Sequence, residues 1–298
     1  MYGNTSADTL FINSSIPLGK SLTLLLIRGT KESAWVKQKN GNLIKLNSLA
    51  LGGSIGTNGS MQGELIVFSS LEELKASKKE IVKGKIVFIN QPMNEQYINT
   101  FRAYGGCYPV RGNGAVEASK LGAKAVIIRS LGMPVDNHPH TGTMNYEEGV
   151  EKIPAAAIST QDAEKLAILA KKETVQFVLE MDCRDYPEVT SYNVIGELTG
   201  KTNPNSIITF GGHLDSWDTG EGAHDDGAGI VHCLEALRIL KVLNYSPKNT
   251  LRVVFFMNEE NGNRGGLTYA DWTKSRTHEK HIAALESDRG GFSPRGFH

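Results

Sequence analysis

What most constrains this chain is a run of glycine and ionisable residues. It reads Gly211-Gly212-His213-Leu214-Asp215-Ser216-Trp217-Asp218, continues to His224-Asp225-Asp226-Gly227, and is followed by Glu259-Glu260 and Asp288. Apolar segments precede these groups. Ile207-Ile208-Thr209-Phe210 is short and β-branched and reads as a buried strand ending at Gly211, so His213 is expected just past its carboxyl end. Gly227 to Leu243 carries Ile230, Leu234, Leu237 and Leu240 at three- and four-residue intervals, which predicts a helix with one buried face, and Asp225 and Asp226 stand just before it. Leu251 to Met257 reads as a second strand handing over to Glu259-Glu260, and Ile282 to Leu285 as a third followed by Asp288. Strand, helix, strand, helix, strand predicts an α/β fold, a mostly parallel sheet with right-handed crossovers and helices on both faces. Ligands of such sheets bind outside the carboxyl ends of the strands, the edge that every candidate group here occupies.

One imidazole and several carboxylates at a single edge read as a metal site for amide-bond hydrolysis. Zinc takes imidazole nitrogen and carboxylate oxygen and keeps a position open for water at catalytic sites. Two metals about 3.5–4 Å apart can generate hydroxide and clamp a tetrahedral intermediate, given a bridging carboxylate. A free carboxylate beside the water then serves as general base. Glu259 and Glu260 can divide these tasks, since adjacent residues point in different directions. Asp215, two residues past His213, is spaced to contact the imidazole and fix its tautomer.

The block from Gly212 to Gly229, Asn258-Glu259-Glu260-Asn261-Gly262 and Glu286-Ser287-Asp288 resembles the co-catalytic zinc exopeptidases of the aminopeptidase and glutamate carboxypeptidase group. The similarity extends upstream through Gly53-Ser54-Ile55-Gly56-Thr57, Gly84-Lys85-Ile86-Val87, Gly114 to Ala118 and His140-Thr141-Gly142, and so covers residues 34 to 298. The resemblance implies Zn2+, two ions per site. It makes His213 and Asp288 ligands of one ion, Asp225 the bridge, Glu260 a ligand of the other, and Glu259 the acceptor of the water proton. It also implies a cis Asp225–Asp226 peptide. The family's second metal takes a further histidine well downstream of the position of Asp288. His298 stands in an ordinary post-strand loop and is not given that role, so the second site lacks its histidine here. Truncation at both ends is therefore expected. The resemblance further implies a short-peptide or dipeptide substrate, a homodimer, and a secreted or extracytoplasmic setting. The alternative is an inactive fragment or pseudoenzyme that keeps a binding role through an inserted module.

That module begins near the strand Glu64 to Phe68, with Ser70 and Glu73 giving a capping-box signal. Strands at Lys85–Ile89, Ala125–Ile128, Ile153–Ile158 and Val175–Leu179 follow, with helices over Gly114–Leu121 and from Ser159. The order resembles the protease-associated domain. The expected division is residues 1–60 as an amino-terminal part of the peptidase domain, 61–184 as the inserted domain, and 185–298 as the catalytic domain, with Asp185-Tyr186-Pro187 marking the return. A length of 298 residues suits two modules. The 32 basic and 32 acidic residues leave no footprint for nucleic acid or an anionic membrane. Leu22 to Ile27 is far short of the ~20 residues of a membrane span, and residues 1–20 lack the pattern of a secretory signal. The three cysteines, Cys107, Cys183 and Cys233, have no ligand spacing, and Cys233 reads as helix packing. Gly112-Asn113-Gly114 reads as a helix start rather than a phosphate loop. His138 and His140 read as loop residues, His224 as lining the site, His232 as a helix residue, and His278 and His281 as lying at the wrong edge. Trp217 could wall a substrate pocket or fill space beneath its loop. Arg289 could pair with a substrate carboxylate or with one of the protein's own.

Overall fold

The computed structural model describes residues 14–17, 32–184, 189–217, 219–288 and 290–293. Leu22–Ile27, Asp185–Pro187, Arg289 and His298 lie outside the described residues. The chain divides into two compact units, Leu25–Tyr186 and Met1–Leu24 with Pro187–His298. Strand β1 (Ser14–Pro17) belongs to the latter.

The first unit contains β2 (Glu32–Lys37), β3 (Leu43–Leu46), β4 (Ser48–Ala50), β5 (Ser60–Phe68), α1 (Leu71–Lys75), α2 (Lys79–Val82), β6 (Ile86–Ile89), α3 (Thr100–Lys120), β7 (Ala125–Arg129), β8 (Ala155–Ile158), α4 (Thr160–Lys172) and β9 (Gln176–Met181). Its eight strands lie in the order β3-β2-β9-β5-β6-β7-β8-β4. β5 through β8 pair in parallel, and the other pairings are antiparallel. β6, β7 and β8 are buried at every residue because apolar clusters form on both faces. Val87, Ile89, Val126 and Ile128 cluster with Leu71, Leu74, Cys107 and Val110 of α1 and α3. Ile86, Phe88, Ala125 and Ile127 point the other way, into a cluster with Ala163 and Leu166 of α4.

Three details depart from the sequence-based expectation. β2 pairs with β9 and β4 with β8, so residues 32–60 are structurally part of this unit rather than separate from it. α3 begins at Thr100, capped by the Asn99 side chain, and runs through Gly105-Gly106 and Pro109. Glycine and proline disfavour a helix interior, but burial of Ala103, Cys107, Val110 and Ala115 along one side outweighs the one backbone bond that proline forfeits. Gly112-Asn113-Gly114 therefore lies inside the helix, not at its start. At α1 the Ser70 hydroxyl accepts from Glu73 N as expected, while the Glu73 carboxylate accepts from Ser69 N and Oγ instead of Ser70 N.

The second unit adds β10 (Tyr192–Leu198), β11 (Asn203–His213), α5 (Gly227–Val242), β12 (Asn249–Phe256), α6 (Arg264–Ser275) and β13 (Lys280–Glu286) to β1. The sheet order is β1-β10-β12-β11-β13. The three strands read from the sequence are parallel, with β11 between β12 and β13, while β10 runs antiparallel to β12 and to β1. Cys233 and Leu237 of α5 cluster with Val253 and Phe255, and Tyr269 of α6 clusters with Ile195 and Val254. Alternate residues of β12 thus face opposite helices, as the α/β reading requires. The buried stripe of α5 is Gly229, Cys233 and Leu237, and Leu234 is 38% exposed. All three cysteines are free and buried. Among the described residues no helix is long and apolar enough to cross a membrane.

Candidate metal centre

β11 runs on to His213, so the imidazole belongs to the strand's last residue rather than to the loop after it. His213 is level with Phe256 of β12, and Gly211 with Glu286 of β13, so both neighbouring strands end beside it. The ring is 1% exposed. Its Nδ1–H donates to the Asp215 carbonyl at 2.8 Å. Nε2 lies 3.1 Å from Asp225 Oδ1, 3.1 Å from Asp288 Oδ1, and 4.0 Å from Glu259 Oε2. His213, Asp225 and Asp288 each bring a donor atom within 4.8 Å of the other two.

The beginning of α5 supplies the second part. The Asp225–Asp226 peptide is cis. Asp226 caps the helix, its Oδ1 accepting from Gly229 N at 3.1 Å, and its Oδ2 accepts from His213 N at 3.0 Å. A side chain at Gly212 or Gly229 would fall on that carboxylate, which is why glycine stands at both. Asp226 has no role of its own in the reading of the sequence. The N-cap pattern could have found its bond to Gly229, but the bond to His213 depends on the tertiary fold.

At the end of β12, Asn258 turns the chain with φ 65, a left-handed conformation that asparagine tolerates better than most residues. Glu259 and Glu260 follow. Asp215 Oδ1 accepts from Glu259 N at 2.9 Å and Oδ2 from Glu260 N at 3.2 Å. Asp215 makes the expected contact with the imidazole through its peptide carbonyl, which fixes the tautomer, while its carboxylate is 3.7 Å from Nδ1. Two convergent backbone N–H groups draw the carboxylate away from the ring. Glu260 lies outside the three-residue cluster, and Trp217 Nε1 donates to its Oε2 at 2.6 Å.

The remaining histidines fall elsewhere. His224 packs edge-on against Phe292 with ring centroids 5.0 Å apart. His232 is exposed on α5, and His278 and His281 face Glu279 at the amino end of β13. His138 and His140 belong to no cluster of three candidate ligands among the described residues.

Electrostatics single out the same edge. Burial disfavours the His213 imidazolium, yet the bonds to Asp225 and Asp288 outweigh it and lift the pKa to about 11. Burial raises the Glu260 carboxyl to about 7, aided by the charge of Asp225, and raises Glu259 as well, aided by Asp288 and Glu286. A concentration of negative charge around one imidazole calls for a cation. The donor set fits zinc: ligands about 2.1 Å from a tetrahedral ion stand about 3.4 Å apart, close to the 3.1 Å seen from Nε2 to each carboxylate. With Nδ1–H engaged by the Asp215 carbonyl, Nε2 is the ring nitrogen left to face the two carboxylate oxygens.

Comparison with known proteins agrees. Carboxypeptidase Q from Homo sapiens is 41% identical over 256 residues, 85% of this chain and 52% of that protein. The chain thus spans about half the length of the curated relatives it matches. The crystal structure of a peptidase M28 precursor from Shewanella amazonensis SB2B superposes with a TM-score of 0.81 at 38% identity, covering 93% of this chain and 60% of that one. A zinc aminopeptidase from Bacillus subtilis shares the fold, with a TM-score of 0.57 at 22% identity over 88% of this chain and 57% of its own. The pattern of peptidase family M28 matches residues 193–297. That stretch, which carries every residue of the site just described, belongs to peptidase family M28.

Proposed function

We propose that the protein is a zinc-dependent exopeptidase hydrolysing short peptides, dipeptides among them. The observation that carries this is the His213 Nε2 atom facing Asp225 and Asp288 at 3.1 Å each, with the Glu259 carboxylate 4.0 Å away. When bound, zinc supplies Lewis acidity and lowers the pKa of water. His213 and Asp288 would hold one ion, Glu260 would serve a second, and Asp225 would be shared by both. Glu259 takes the proton of the attacking water and passes it to the departing amine. Burial raises its carboxyl above the ordinary range, which favours taking up that proton. Asp215 sets the level of both glutamates through their backbone N–H groups. Residues 61–184 make up a protease-associated domain.

The test is zinc content by atomic emission together with hydrolysis of a dipeptide panel, with and without a chelator. Hydrolysis should require zinc, and Glu259→Gln should retain zinc while losing about 10²–10⁴-fold in kcat. Chelator-insensitive hydrolysis, or normal turnover by the variant, rejects the assignment. Zinc held at His213 without any hydrolysis favours the non-catalytic reading.

A further inference from the structure

Helix α3 carries a constellation that the proposed hydrolysis does not use. Tyr104, Tyr108 and Arg111 follow one another at intervals of four and three residues, so they share one face of the helix. The Arg111 guanidinium carbon stands 5.3 Å from the Tyr104 ring centroid and 5.2 Å from that of Tyr108, and the two rings are 6.5 Å apart. Nη2 donates to the Tyr104 hydroxyl, and Nη1 makes a long bond of 3.4 Å to the Thr141 carbonyl. Gly142 closes the group from the loop after β7: its φ is +149, and a Cβ there would fall on the guanidinium. That loop is tied down, Gly52 N donating to Gly142 O at 2.9 Å, Met144 N to Gly52 O at 2.8 Å and Thr141 Oγ1 to Ala50 O at 2.6 Å.

The guanidinium is thus held in place without being neutralised. Arginine presents five N–H donors in a planar fork that carries a permanent charge. At Arg111 two of them meet neutral oxygens, and Nε is buried with no partner among the described residues. Two deeply buried guanidinium groups of this chain are paired, Arg129 with Glu164 and Arg252 with Glu279 and Glu197. Arg111 is half-buried and meets no carboxylate among the described residues. Taking a charge out of water is costly unless a counter-charge meets it. The tyrosine faces offset part of that cost but accept no further N–H in the plane of the fork. A carboxylate fits that plane with two parallel bonds, and its single charge balances the one that Arg111 brings, which a phosphate dianion would exceed. Phe101, three residues before Tyr104 on the same face, is 52% exposed, so an apolar body attached to the carboxylate has an aromatic surface to lie on.

We propose that Arg111, framed by Tyr104 and Tyr108, is a binding site for a carboxylate borne on an apolar body, the chemistry of a peptide's free carboxyl-terminal residue. The site lies wholly within the unit Leu25–Tyr186, so it neither needs nor tests the zinc reading. It makes that unit a ligand-binding module in its own right.

The experiment is an NMR titration of the full 15N-labelled chain with N-acetylphenylalanine, with its uncharged amide and with inorganic phosphate, run on the wild type and on Arg111→Gln. Burial shields the Arg111 Nε–H from exchange with water, and its signal is the one that Arg111→Gln lacks. N-acetylphenylalanine should move that signal saturably, and the amide should leave it in place. Read from the Gly142 backbone N–H, Arg111→Gln should bind the acid about 10- to 100-fold more weakly, the usual loss when a hydrogen bond to a charged group is removed. The remaining amide signals report whether the variant is folded. Should it unfold, Arg111→Lys takes its place, keeping the charge without the planar fork, and should also bind at least about 10-fold more weakly. An Arg111 signal unmoved by the acid, moved equally by the amide, or moved as strongly by phosphate overturns the proposal. So does a folded variant that binds the acid as tightly as the wild type.

Discussion

Replacing Glu279 by glutamine should cost the carboxyl-terminal unit about 3 kcal/mol at neutral pH while leaving the metal site intact. Glu279 stands just before β13, its side chain 5% exposed. Its two oxygens accept from Arg252 Nη1 and Nη2 at 3.0 Å each, and Arg276 Nε donates to Oε1 at 2.7 Å. Arg252, itself 3% exposed, also reaches Glu197 and lies over Trp272 at 5.2 Å. Burial works against the Glu279 carboxylate, but the two guanidinium groups prevail and hold its pKa at about 2, against an ordinary 4.5. A shift of that size corresponds to about 3 kcal/mol at 1.36 kcal/mol per unit. Breaking a buried pair from one side costs about 3–5 kcal/mol by an independent route, so the two figures agree.

The pH dependence follows from the sign of the shift. A carboxyl whose pKa falls on folding contributes stability in full above its unfolded value, and the contribution is lost as the pH drops through the folded value. The difference between wild type and Glu279→Gln should therefore be constant above about pH 5 and shrink toward zero as the pH approaches 2. Urea unfolding is followed by tryptophan emission in a Trp35→Phe background, where the remaining tryptophans, Trp217 and Trp272, both lie in this unit. Arg252 precedes Phe256, the partner of His213, by four residues, roughly 13 Å along the strand. Zinc affinity should accordingly be unchanged in Glu279→Gln as long as it is folded. A loss below about 1 kcal/mol, or one independent of pH down to 2, would refute the reasoning.

Two further outcomes bear on the site. Because His213 is protonated in the metal-free protein at pH 7, its pKa lying at about 11, zinc binding should release close to one proton from it. Calorimetry in buffers of differing ionisation enthalpy measures that release, and a value near zero would contradict the assignment. Gly229→Ala would place a methyl group on the Ser287 carbonyl and the Asp226 carboxylate, so it should lower both stability and zinc affinity. Circular dichroism melting and a zinc titration against a chelator would show it, and wild-type behaviour in both would mean α5 can shift without disturbing Asp225.

The elements that place the site were legible because apolar periodicity reports which side of a segment is buried. β11, α5, β12 and β13 all lie where that signal put them, with His213, Glu259 and Asp288 at or just past the carboxyl ends of the strands and Asp225 just before the amino end of α5. What was not legible depends on partners far away in the chain. Asp215 is two residues from His213, and spacing alone suggested the imidazole, yet its carboxylate is claimed by N–H groups 44 and 45 residues on. Asp226 is pinned to His213 N across 13 residues, and Arg252 to Glu279 across 27. β10 was missed although it completes the antiparallel edge. The first part of α3 is not legible, since glycine and proline signal local cost and cannot report the burial that offsets it.

The sheet also contains a device that no residue pattern announces. In the pairing of β11 with β13, Ile207 is level with His281 but Ile208 with Ala283, so Ile282 is an extra residue on β13. From there the register continues to Gly211 beside Glu286, with Ser287 N donating to Gly211 O at 2.9 Å, and the same offset carried two residues past the end of β13 would set His213 level with Asp288. Were the pairing continuous from Ile207, His213 would be level with Ser287, and Asp288 would fall out of phase with it. A slip of one residue sends every following side chain to the opposite face. The 3.1 Å approach of Asp288 to Nε2 is thus set by a bulge near the other end of the strand. This explains how a residue beyond the end of β13 is aimed at His213: the sheet's register, fixed some six residues earlier, aims it.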